Sequence, residues 1–116
     1  MNLYCCQITL RDDAKALAFA KAVDDWMGFL KARGVIASWR LLRRKLNLAS
    51  DSFRDFLLEI EVEDLAQLDR AFRQAGTHDE EVETLHNAVH GLVAEAAFAL
   101  YRPFPDPERA ERMALV

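Results

Sequence analysis

Two periodicities alternate along the chain. Leu3 to Leu10 is a short stretch rich in apolar and β-forming residues and reads as a strand. Beyond Asp12 and Asp13, either of which can cap a helix, the spacing changes. Phe19, Val23, Trp26, Met27 and Leu30 recur at helical intervals, while Lys15, Lys21, Asp24, Asp25, Lys31 and Arg33 lie largely outside that stripe. Gly34 stands where a left-handed helix end is expected. Val35 to Leu48 then reads as a long strand, and Asn47 to Ser52 supplies turn chemistry. From Phe53 to Val62 the alternation is clear: Phe56, Leu58, Ile60 and Val62 interleave with Asp55, Leu57, Glu59 and Glu61. These two strands and their loop predict a hairpin.

The second half repeats the first. Asp64 is placed to cap a helix whose Leu65, Leu68, Phe72 and Ala75 share a face, with Gly76 closing it as Gly34 closes the first. Thr77 and Glu80 have the spacing of a capping box, so a third helix is expected to start at once, with Val82, Leu85 and Val89 as its apolar stripe and Gly91 at its end. Leu92 to Arg102 reads as a last strand, stopped by Pro103, Pro105 and Pro107. The order is β, α, β, β, α, (α), β. With right-handed crossovers it predicts an α+β, ferredoxin-like βαββαβ domain: a four-stranded antiparallel sheet with helices on one face. Residues 1–106 form this single domain and 107–116 a C-terminal tail.

The strand period assigns the two faces of that sheet. The helix-covered side takes Tyr4, Cys6, Ile8, Trp39, Leu41, Phe56, Leu58, Ile60, Phe98 and Leu100. The opposite side takes Leu3, Cys5, Gln7, Thr9, Ile36, Ser38, Arg40, Leu42, Leu57, Glu59, Ala97, Ala99 and Tyr101. A solvated sheet face alternates cleanly to polar residues, and this one does not. It is too apolar for water and too polar for a dry core, which predicts a symmetric homodimer packed through it.

The architecture, the length and the ending Ala97-Phe98-Ala99-Leu100-Tyr101-Arg102-Pro103-Phe104-Pro105-Asp106 resemble small bacterial proteins of the dimeric α+β barrel superfamily, in particular its uncharacterised branches. The resemblance implies a barrel made from two sheets. Within that superfamily some members are cofactor-free monooxygenases, others are lyases or isomerases, and many have no known activity, so the fold carries little function by itself.

Composition narrows the classes further. At 116 residues, 52% hydrophobic and 29% charged, the chain has the make-up of one globular domain able to bury an ordinary core. A net charge of −4 argues against a general nucleic-acid binder and lends nothing to a membrane-surface role. The only cysteines, Cys5 and Cys6, are adjacent and point to opposite faces of a strand. They read as small buried hydrophobes rather than a disulfide or an activated thiolate, which fits a reducing, cytoplasmic setting. No signal peptide or membrane span is expected; Glu95 interrupts the most apolar C-terminal stretch. Several sharper identities fail: the third strand lacks an RNA-recognition motif, no Cys-x-x-Cys follows the first strand, and there is no Gly-rich phosphate loop.

The candidate chemistry lies in three places. On the third helix Asp79, Glu83, His86 and His90 fall within about 60° of arc. Two histidines four residues apart can share a metal ion or move protons near neutral pH. Against this, acidic residues are ordinary at a helix N-terminus, and the histidines flank the apolar stripe as boundary residues do. No metal site is assigned and no cofactor is called for. Arg43, Arg44 and Lys45, with Arg40, form the basic cluster; alternation splits it, and a solvated hairpin end is the simpler reading. Arg40 is the exception, expected near Glu59 or Glu61 as an ion pair beneath a dimer interface, with ligand recognition as the sharper role. Gln7, Trp39, Tyr101 and Thr9 are candidates to line a small-molecule cavity, either between sheet and helices or inside the barrel, although Trp26 and Trp39 more often serve as core.

Two function classes therefore remain. One is a non-enzymatic homodimeric module that binds a small molecule or only assembles. The other is a cofactor-independent enzyme, monooxygenase-, lyase- or isomerase-like, with His86 or His90 as acid–base group and Arg40 or Tyr101 orienting substrate. The first is favoured because no residue set present is required by a named reaction. They differ in whether an imidazole faces an enclosed pocket.

Overall fold

The computed structural model describes residues 1–106; the expected tail over 107–116 lies outside the described residues. Strand β1 (Asn2–Leu10) leads through a 3-10 turn (Asp13–Lys15) into helix α1 (Ala16–Ala32). Strands β2 (Ser38–Arg43) and β3 (Phe56–Val62) form the hairpin; α2 (Leu65–Ala75), α3 (Glu80–His90) and β4 (Val93–Tyr101) complete the chain. The sheet is antiparallel in the order β2-β3-β1-β4, the ferredoxin-like arrangement expected from the element order.

Helix α1 buries the stripe read from its spacing: Phe19, Val23, Trp26, Met27 and Leu30, joined by Ala22. They pack on Cys6, Ile8, Phe56, Leu58 and Ile60, with Tyr4, Trp39 and Leu41 partly buried at the margin. Asp12, rather than Asp13, caps the entry by accepting the Ala14 amide at 2.9 Å. Gly34 has φ of +72°, a conformation nearly free for glycine and costly for any side chain.

Several boundaries differ from expectation. Strand β2 covers only Ser38–Arg43, not Val35–Leu48. Val35 and Ile36 precede it and turn into the core, so Ile36 leaves the open face assigned to it and is only 3% exposed. Beyond Arg43 the backbone enters the left-handed region at Leu46 and Asn47, which no strand tolerates. Thr77 is not a capping-box residue: its hydroxyl donates to the Gln74 carbonyl at 2.9 Å. Asp79 caps α3 instead, accepting from the amides of Glu81 and Val82. Gly76 ends α2 with φ of −88°, so it does not repeat the left-handed ending of Gly34.

Helix α2 is turned from its expected face. Gln67, Leu68 and Ala71 are buried, whereas Leu65 and Phe72 are about half exposed. The cause is Gln67, whose side-chain carbonyl accepts the Glu63 amide at 2.7 Å and whose amino group donates to the Gly34 carbonyl at 3.1 Å. This polar clasp ties the end of α1 to the start of α2. On β4, Phe98 and Leu100 point to the helix side as expected but are 58% and 44% exposed, because the helices leave this edge strand uncovered.

Candidate functional site

Two concavities lie on opposite sides of the sheet. On the helix side, a cleft of about 290 Å³ runs between α1, α2, α3 and the strands. Tyr4, Trp26, Phe72 and Phe98 supply aromatic walls, and the side-chain polar groups are His86 and His90 with the Tyr4 hydroxyl, the Trp26 N–H and the Cys6 thiol. Tyr4 stacks on Phe98 at 5.9 Å and meets Phe72 edge-on at 5.4 Å, so the three rings frame the end beside β4.

Helix α3 carries both histidines one turn apart on the same face. Their rings lie 4.1 Å apart, and His86 stands edge-on to Trp26 at 5.6 Å. Burial first, and the neighbouring His90 second, lower the His86 pKa below its usual value near 6.5. A neutral imidazole accepts a proton or a hydrogen bond on one nitrogen and donates on the other. The remaining members of the expected cluster are otherwise engaged. Asp79 is the helix cap, and Glu83 lies 3.6 Å from His78. Among the described residues no group of three or more His, Cys, Asp or Glu is arranged to hold a metal ion.

The other concavity, about 860 Å³ and broadly open, lies over the uncovered sheet face. Leu3, Cys5, Gln7, Leu57, Ala97 and Ala99 form its floor, and Leu48, Ala49, Ser50 and Phe53 of the β2–β3 loop form one wall. Gln7 is already engaged: its side-chain carbonyl accepts the Arg54 amide at 3.0 Å and anchors the end of that loop. Arg40 pairs with Glu59 opposite it across β2 and β3, one of the two partners expected for it. Arg44 pairs with Asp55 at 2.8 Å, and Arg54 pairs with Glu95. Three arginines of this face are thus neutralised within the chain. Tyr101 sits on the same face, 60% exposed.

The sheet therefore separates residues that the sequence grouped together. Gln7 and Tyr101 border the open groove, while Trp39 lies on the helix side against the core and lines neither concavity. The strand period decides this, since Trp39 and Arg40 point to opposite faces of the sheet. The cysteines divide likewise. Both are free and buried, and desolvation pushes the Cys6 thiol up to about 12, leaving an unreactive core residue. Phe72, Phe98 and Tyr4, which complete the histidine cleft, do not stand out in the sequence as site residues. No local spacing joins residues on β1, α2 and β4.

An antiparallel β2-β3-β1-β4 sheet with helices on one face is a ferredoxin-like fold. Solved structures bear this out. A DABB-family protein with a ferredoxin-like fold from Mesorhizobium loti is similar over 89% of this chain and 96% of its own, with a TM-score of 0.63 at 17% identity. SnoaB, a cofactor-independent oxygenase from Streptomyces nogalater, has a TM-score of 0.65 at 13% identity, covering 90% and 97%. A dimeric ferredoxin-like protein of unknown function from Bacteroides fragilis has a TM-score of 0.58 at 16% identity, covering 86% and 93%. These identities speak for the fold alone. No curated protein matches the sequence. Residues 1–116 match the family of unknown function DUF6614, and the chain belongs to that family.

Proposed function

We propose that the protein is a homodimer, closed into an α+β barrel through its open sheet faces, in which each protomer offers the helix-side cleft to a small, largely apolar molecule. The observation that carries the binding reading is the cleft itself: aromatic walls beside the half-buried imidazole of His86, whose pKa is lowered, with the exposed His90 next to it. Its volume stands at the small end of the roughly 300–1,000 Å³ common for ligand pockets, so the occupant is compact. The occupant carries one polar group, a hydroxyl or similar, to meet His86.

Three features support the homodimer. The open face is floored by apolar and small side chains, Arg40, Arg44 and Arg54 are already paired, and the similar protein from Bacteroides fragilis is described as dimeric. Shape agrees. The radius of gyration is 15.8 Å against about 13 Å for a compact chain of this length, and the molecule is 17 Å thin. On this reading the larger groove is covered by the partner, which leaves the smaller cleft as the ligand site. Free buried thiols suit a reducing, cytoplasmic location.

A second reading is favoured by one observation. An imidazole with lowered pKa, walled by aromatics, is equipped to take a proton from a bound hydroxyl or activated carbon, as a cofactor-independent enzyme requires. In the first reading the same nitrogen only accepts a hydrogen bond.

Titration with 1-naphthol, followed by calorimetry, tests the cleft. Saturable binding is expected, abolished by Ala96→Trp, which fills the cleft from the exposed edge strand. Binding unchanged in that variant would move the site elsewhere. His86→Gln separates the two readings: a module loses a few-fold in affinity, whereas an enzyme keeps its ligand and loses turnover.

A further inference from the structure

The β2–β3 loop combines two costs that nothing among the described residues of one protomer offsets. Leu46 adopts φ of +57°, a conformation that glycine and asparagine enter readily and leucine does not. Its side chain is also 86% exposed, with Leu48 at 79% and Phe53 at 56% beside it. The loop is nevertheless built rather than loose. Leu48 donates to the Lys45 carbonyl and Phe53 to the Ser50 carbonyl, each at 3.0 Å, and the Arg44 guanidinium donates to the Phe53 carbonyl at 3.3 Å. A defined turn that pushes leucines into water at a backbone penalty is shaped to meet a partner.

The position of the loop points to that partner. Leu48, Ala49 and Phe53 continue the apolar floor of the open sheet face, so whatever covers that face meets the loop as well. The sheet itself has a footprint of roughly 500 Å² from strand spacing and rise. A standard stable interface buries about 800 Å² on each partner. Sheet against sheet falls at or below that size, and an apolar projection from the same face makes up the difference. We infer that the loop around Leu46 to Phe53 is a dimer arm, with Leu46 and Leu48 packing on a second copy of this chain. This inference rests on the homodimer reading above and adds to it the element that supplies much of the affinity.

Sedimentation equilibrium on the full chain tests it with three proteins: wild type, Leu57→Arg on the sheet floor, and Leu46→Ser with Leu48→Ser on the arm. The wild type is expected to dimerise and Leu57→Arg to be monomeric. The arm variant is expected to dissociate at least tenfold more readily while keeping its far-UV circular dichroism. A monomeric wild type overturns the homodimer reading and the arm with it. A dimeric wild type whose arm variant changes less than threefold overturns the arm alone. Leu46→Gly supplies a second readout. In the Leu57→Arg monomer it should raise the thermal midpoint, since the left-handed strain is relieved and the removed side chain was packed against nothing. In the wild-type background it should weaken the dimer. The same sign in both backgrounds would overturn the arm.

Discussion

His86 is the side chain whose surroundings bear most directly on chemistry. Desolvation beside Trp26 and the approach of His90 both disfavour its charged form, so its pKa in the folded protein lies below that in the unfolded chain. Between those two values the unfolded chain binds more protons than the folded one. Stability therefore falls as pH drops through about 6.5 and stops falling once the folded value is passed. The thermal midpoint is expected to decline on acidification from pH 7 toward 5.5, and His86→Phe should flatten that slope. Proton NMR should show the His86 ring titrating below 6.5; a value at or above it would mean that the imidazole is solvated. The helical pairing of His86 with His90 was legible from spacing alone. The rest of the cleft was not, because Tyr4, Phe72 and Phe98 join its lining only once β1, α2 and β4 are assembled.

Among the elements, α1 followed its pattern residue for residue while α2 did not. The difference is physical. Helix α1 has five large side chains on one stripe, and burying them leaves a single orientation. Helix α2 is short, and its Leu65 and Phe72 compete with a glutamine that makes two backbone-directed hydrogen bonds when buried. An unsatisfied buried amide costs more than half-exposing a leucine, so the clasp decides the rotation. Gln67→Ala removes that restraint. Gly28 inside α1 and Gly34 just beyond its end offer a prediction with opposite signs. A Cβ at Gly28 meets nothing within 4 Å, so Gly28→Ala should stabilise by about 0.5–1 kcal/mol through helix propensity. Gly34→Ala must adopt φ of +72° and should cost about 1 kcal/mol or more. Urea unfolding at one fixed protein concentration measures both, and matching signs would contradict the assigned backbone.

At the scale of the whole molecule, the described residues form a thin sheet-and-helix slab with one face left without a layer. Were that face covered by a second copy, folding and association would be coupled, and the thermal midpoint should rise with protein concentration. A midpoint that stays constant between about 1 and 100 µM would separate folding from assembly. From the sequence alone the element order, most of the sheet's two faces and the α1 stripe follow, and the partner of Arg40 is narrowed to Glu59 or Glu61, because each depends on period and on residues opposite one another in a hairpin. The tertiary structure alone decided where β2 ends, which way α2 faces, how bare β4 is left, and which aromatics close around His86. Those outcomes come from competition between segments distant in the chain, over limited buried space and shared hydrogen-bond partners, and no local pattern encodes the result.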